Sequence, residues 1–108
     1  MEKTKKILIG KETLSFRMTN RTILKVDEKY GNYGSVIAGI IEGKQFYTNA
    51  LKLLSCCCID RELDLDELVE KLTPSQINYE ITAAVAELYY DYIDIGKDEE
   101  TETKKEKN

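Results

Sequence analysis

The chain contains no histidine and no tryptophan, and its one proline is Pro74. Its three cysteines, Cys56, Cys57 and Cys58, are consecutive. Without histidine, the usual base of Ser-His and Cys-His nucleophilic catalysis is missing. A four-ligand zinc site built from Cys and His within one chain is also excluded, because three thiols are one ligand short. On a helix, consecutive thiols point about 100° apart and cannot converge. A disulfide between neighbours would be strained. The three cysteines therefore read as small buried hydrophobes where helices approach closely. The glycines spell neither GxGxxG nor GxxxxGK[ST], so no phosphate cradle is visible. No run approaches the roughly 18 apolar residues of a membrane span; Val36 to Ile41 is apolar but too short. The start, MEKTKKILIG, has lysines but too brief an apolar stretch for a signal peptide. The expected location is the cytoplasm.

At 108 residues the chain has room for one core. Its net charge is −4, unevenly placed. Residues 1–31 carry eight Lys or Arg against four acids, and residues 60–100 carry three against thirteen. Such a split implies either solvated faces or docking by complementary potential. Nucleic-acid binding fits poorly, since the basic side is modest and has no arginine-rich stripe.

Residues 5–9 place Ile7 and Ile9 on one face, and residues 14–18 place Leu14, Phe16 and Met18 on one face. With Gly10-Lys11-Glu12 between them, they predict a β-hairpin, which must pack on helices to be stable. A first helix is expected from Thr19 or Asn20 to Tyr30, stopped by Gly31, with Ile23, Leu24, Val26 and Tyr30 on its apolar side. Ser35 would cap a short helix over 35–42 that buries Val36, Ile37, Ile40 and Ile41. A third helix, from about Lys44 to Cys58, has a stripe of Phe46, Ala50, Leu53, Leu54 and Cys57. A fourth begins with Asp64 as N-cap and Glu67 at N3, Leu63 and Leu68 forming a hydrophobic staple, and ends near Leu72. The acids of LDLDELVE are thereby given to capping and to the helix dipole, and not to a metal or acid-base site. Expected core residues are Phe16, Ile23, Leu53, Leu54, Val85 and Leu88.

The run from Thr73 to Ile95 is the most informative. Thr73 is an N-cap, Pro74 sits at N1, and Gln76 at N3 completes a capping box. One stripe holds Ile77, Ile81, Ala84, Val85, Leu88, Tyr92 and Ile95. A second holds Tyr79, Ala83, Ala86, Tyr90 and Ile93. A helix apolar on two faces is either central to a bundle or meets a partner. Tyrosine suits an interface because it buries a ring and keeps a wet hydroxyl. The candidate partner-binding residues are therefore Tyr79, Ala86, Tyr89, Tyr90 and Ile93. No catalytic, cofactor-binding or metal-binding residues are assigned. Residues 97–108, KDEETETKKEKN, hold no apolar side chain and read as a disordered charged tail. The expectation is thus a mostly α (α+β) chain: a single helical domain over 1–96, its N-terminal β-hairpin packed on a bundle of four to five helices, then the tail.

The order of parts carries a resemblance. KKILIGKETLSFRM makes the hairpin and TNRTILKVDEKYGN a helix running into a Tyr-Gly turn. NALKLLSCCCI, the acidic LDLDELVEKL and a long last helix come after them. Over residues 5–95 this resembles the tail assembly chaperones of long-tailed bacteriophages and related prophage particles. The resemblance implies a non-catalytic role: binding the helical tape measure protein, keeping it soluble, and helping tail-tube protein assemble on it. It also implies self-association into a homo-oligomer, and a longer product made by ribosomal frameshifting. Lys104-Lys105 is where a slippery run of A would lie, giving a product that shares residues 1 to about 105. It carries no catalytic residues over, and the triple cysteine is not a signature of that family. The alternative from another class is a small cytoplasmic regulatory adaptor that binds a transcription protein or another helical partner.

Overall fold

A computed structural model describes residues 3–107, with side chains described to Asp94. Asn108 and the side chains of the tail over 97–108, with the junction at Lys104-Lys105, lie outside what is so described. The chain forms a two-stranded antiparallel hairpin followed by helices, as the patterns predict. Strand β1 (Lys5–Ile9) pairs with β2 (Glu12–Phe16), with Ile7 opposite Leu14 and Ile9 opposite Glu12. The turn is two residues long. Gly10 takes φ +69°, a conformation open to glycine at little steric cost. Ile7, Ile9, Leu14, Phe16 and Met18 are all buried, so the hairpin's apolar face is the one that packs on the helices.

Helix α1 (Asn20–Tyr30) starts after Thr19 and ends at Gly31, whose φ is +92°. Its inward line is Thr22 and Val26. Ile23, expected in the core, is only partly buried at its margin, and Leu24 is exposed. The line of i, i+4 positions facing the bundle passes through Thr22 and Val26, one step off the apolar pair. Thr22 is tolerated there because its hydroxyl accepts the Thr19 amide at 3.0 Å.

Helix α2 (Tyr33–Glu42) begins two residues earlier than expected. Asn32, not Ser35, is the cap, and its side chain accepts the Ser35 amide at 3.3 Å. Val36 and Gly39 are its buried residues, Ile37 and Ile40 are half-buried, and Ile41 is exposed. Helix α3 (Phe46–Ser55) packs against α1, α2, α4 and α5, so it holds the centre of the bundle. Ala50, Leu51, Leu53, Leu54 and Ser55 are buried on it.

α3 stops before the cysteines. Cys56 and Cys57 form a turn, and Cys58 bridges to Phe16. The Arg17 amide donates to the Cys57 carbonyl, and the Ile59 amide to Ser15, both at 2.9 Å. The Ser15 amide donates to the Asp60 carboxylate at 2.6 Å. The expected helical placement of the thiols is thus corrected: they lie in a strap that satisfies the outer edge of β2. Their burial agrees with the reading as small hydrophobes. Burial pushes the Cys56 and Cys57 thiols up, so both stay protonated and poorly nucleophilic. Changing all three cysteines to alanine should leave the fold intact at a cost of about 1 kcal/mol per thiol. Chemical denaturation reads this; an unfolded variant would mean the strap depends on sulfur packing.

Helix α4 (Leu65–Lys71) follows Asp64, and Leu63 and Leu68 are both fully buried, as a staple requires. Glu67 does not cap. The Arg61 guanidinium takes it in two hydrogen bonds, 3.0 and 2.6 Å, and Lys71 adds a third at 2.8 Å. A bidentate charged pair outcompetes a neutral amide for the carboxylate. Arg61 also holds Glu12 of the hairpin at 2.8 Å. This network sets an acid limit. The hydrogen bonds from Arg61, then Lys71, lower the Glu67 carboxyl from 4.5 to about 2. Arg61 lowers Glu12, and Lys25 with Lys29 lowers Glu62. Folded pKa values below the unfolded ones give stability that is present above pH 4.5 and is lost as pH falls towards 2. The melting temperature should therefore be flat above about pH 5 and drop below it. Arg61→Gln should flatten that drop; an unchanged acid slope would show that other groups set it.

The last segment opens as predicted at Thr73. Its amide donates to the Gln76 side-chain oxygen at 2.9 Å, and the Gln76 amide returns to the Thr73 hydroxyl at 3.1 Å. Beyond this cap the helix departs from plain α geometry. Gln76–Glu80 form a π turn, closed by the Ile81 amide on the Gln76 carbonyl. The Asn78 side-chain amide takes the Pro74 carbonyl at 2.7 Å, the acceptor that its backbone would use in an α-helix. α5 (Ile81–Lys107) then continues.

Candidate functional site

The two stripes of the last helix have different fates. Ile81, Ala84, Val85 and Leu88 are buried against the bundle, with Tyr92 half-buried beside them. The second stripe is not covered. Tyr79 is 77% exposed, Tyr90 62% and Ile93 44%. Of the two roles open to a helix apolar on both faces, α3 takes the central one, and α5 turns its second face outward.

That face forms one wall of an open apolar groove of about 350 Å³. Thr82, Val85, Ala86, Tyr89 and Tyr90 line it from α5. Ile37, Ile40 and Ile41 line it from α2, and Phe46 lies at the start of α3. Of the five candidate residues, Ala86, Tyr89 and Tyr90 come together here. Ile93 stands exposed one helical turn further along α5. Tyr79 is exposed on the π turn and is not part of the groove lining. Tyr89 differs from the others, because it is half-buried and packs on the core. It meets Tyr90 edge-on, with ring centroids 5.9 Å apart.

The α2 wall reads as core from sequence. The signal that marks it otherwise is the run VIAGII, which is apolar on more faces than a ten-residue helix can bury. Ile41 is 66% exposed.

Other tyrosines join the helices to one another. Burial, with Tyr89 and Tyr92 nearby, pushes the Tyr33 phenol up to about 12. The Tyr92 hydroxyl donates to Asn20 at the start of α1. Tyr30 and Ser55 share a hydrogen bond of 2.9 Å, and Lys52 lies over the Tyr30 ring at 5.5 Å. These contacts tie α1 to α3 and to α5, and Tyr33 sets the start of α2 beside α5.

Opposite charges meet largely within the chain. Lys5 of β1 pairs with Glu87, and Lys3 with Asp91 at 3.7 Å. Lys25 and Lys29 of α1 hold Glu62 at 3.0 and 3.3 Å. The charge split read from sequence therefore acts first to seat the hairpin on α5 and α1 on the loop before α4. A second, polar crevice of about 240 Å³ lies beside α1. Cys56, Cys57 and Cys58 line it, with Cys56 and Cys57 held protonated. Among the described residues, no group of three or more His, Cys, Asp or Glu could hold a metal ion. Among them, too, no helix is long and apolar enough to cross a membrane. No protein-family model, curated protein or solved structure matches the chain.

Proposed function

We propose that this chain is a non-catalytic binding module that receives an amphipathic helix of a partner in the groove between α2, α3 and α5. The observation that carries the reading is the uncovered second face of α5, which continues an open apolar groove walled on its other side by α2. Helix-in-groove recognition needs an apolar trough that takes anchors at i, i+3, i+4 and i+7. The hairpin-first order of elements supports a more specific identity, a phage or prophage tail assembly chaperone working in the cytoplasm of the bacterial host. In that role the occupant is the tape measure protein, whose long amphipathic helices need shielding until tail-tube protein encloses them.

Co-expression with the tape measure protein and tail-tube protein tests this. The wild-type chain should capture tape measure protein, and a variant carrying Ala86→Glu with Tyr90→Ser should lose it. Both positions are exposed, so the variant's stability should change little, within about 1 kcal/mol. Equal capture by the variant would move the interface elsewhere. Capture of a transcription protein, with no tape measure gene beside this one, would favour the adaptor reading instead.

A further inference from the structure

The last helical segment is pinned at two places, and an unbroken α-helix does not fit both. Its start is held by the capping box of Thr73 and Gln76, and the Gln76 side-chain amide donates to the Leu8 carbonyl of β1 at 2.7 Å. Further along, Ile81, Ala84, Val85 and Leu88 are buried in the core, and Lys5 and Lys3 hold Glu87 and Asp91. Between these anchors lies the π turn, Gln76–Glu80. A turn closed from i+5 to i holds one residue more than an α turn closed from i+4 to i. Burial records the surplus. From Ile81 to Leu88, two exposed residues separate successive inward positions: Thr82 and Ala83, then Ala86 and Glu87. Between the half-buried Ile77 and the buried Ile81 there are three, Asn78, Tyr79 and Glu80.

We propose that the π turn is a register device. It stores one surplus residue, so that a start pinned to the hairpin and a stripe pinned in the core are both satisfied, and it thereby sets which face α5 turns to the groove. One residue of an α-helix is about 100° of rotation. Were the same chain α-helical from its cap onward, each later residue would advance by one position. Glu80, Ala83, Ala84 and Glu87 would then take the places of Ile81, Ala84, Val85 and Leu88. Two carboxylates would enter an apolar core that offers them no partner, a costly burial. On the groove side, Val85 and Tyr89 would stand where Ala86 and Tyr90 now stand. The π turn avoids both changes. Asn78 supports it, because its side-chain amide takes the Pro74 carbonyl at 2.7 Å. The surplus lies on the solvent side, where Tyr79 is 77% exposed, so the residue there supplies length to the turn. The inference concerns the chain's own fold and holds whatever the groove receives.

Single-residue deletions in the full chain test this. Deleting Tyr79 removes the surplus. The Ile81 amide then keeps its bond to the Gln76 carbonyl, which now closes an α turn, and no later residue changes place. The urea midpoint should equal or exceed that of the wild type, and a crystal structure should show plain α-helix after Thr73 with Leu88 still buried. Deleting Ala83, which lies beyond the π turn, is the control. With either an α or a π turn at the start of the helix, Ile81 or Leu88 must then leave the core. The midpoint should fall steeply, or the chain should fail to fold. A Tyr79 deletion that unfolds, or that loses as much stability as the Ala83 deletion, would overturn the proposal. So would an Ala83 deletion as stable as the wild type, or a folded Tyr79 deletion in which Leu88 is exposed.

Discussion

Leu88→Ala should destabilise the chain by about 2–5 kcal/mol, the range for deleting a buried leucine side chain and leaving part of its cavity. Leu88 is 1% exposed and lies on the buried stripe of α5 between Val85 and Tyr92. Leu54→Ala should cost as much, for it is fully buried on α3, the helix that packs against α1, α2, α4 and α5. Small domains hold only about 5–15 kcal/mol in total, so the double variant should be largely unfolded. Urea denaturation of the two single variants measures this directly. Tyr90→Ala is the control. It removes more atoms from the same helix, but from its exposed face, and should shift the midpoint little. If Tyr90→Ala proved as costly as Leu88→Ala, the second face of α5 would be covered in solution.

Gly39→Ala should also destabilise, by about 1–3 kcal/mol, the usual cost of overpacking. Helix propensity alone points the other way, since alanine is better than glycine inside a helix by about 1 kcal/mol. The packing decides. A Cβ at Gly39 would sit 2.1 Å from the Asn49 side-chain nitrogen and 2.8 Å from the Lys44 carbonyl oxygen. The Asn49 side chain can swing, but the carbonyl belongs to a tight turn. There the Lys44 amide donates to Gly39 at 2.8 Å, and Asn49 donates to Lys44 at 2.9 Å. The turn also places Gly43 at φ +75° and Gln45 at φ +46°, leaving little freedom to give way. Because this contact sets the approach of α2 to α3, the variant should also widen the groove and weaken partner capture. A rise in melting temperature for Gly39→Ala would show that α2 and α3 stand further apart than described.

The local code was largely legible. Alternation in Ile7, Ile9, Leu14 and Phe16 with a glycine between predicts the hairpin. Thr73 with Gln76 predicts the capping box, and Leu63 with Leu68 the staple. Each is a short-range pattern whose physics lies within a few residues of chain. What an apolar residue packs against is not local, and there the sequence stops. It marks α5 as apolar on two faces but cannot say which face meets the bundle. That is decided by α3 taking the central position and leaving Ala86, Tyr90 and Ile93 without a neighbour to cover them. It offers Glu67 as a cap, while the fold brings Arg61 to it and makes it an ion pair. It shows three thiols in a row, and only the pairing of Cys58 with Phe16 makes them a strap along β2. Helix propensity by itself would favour alanine at position 39, and the close approach of the Lys44 turn makes glycine a requirement. Burial, charge pairing and close approach are properties of surfaces brought together over long chain separations, so tertiary structure alone decides them.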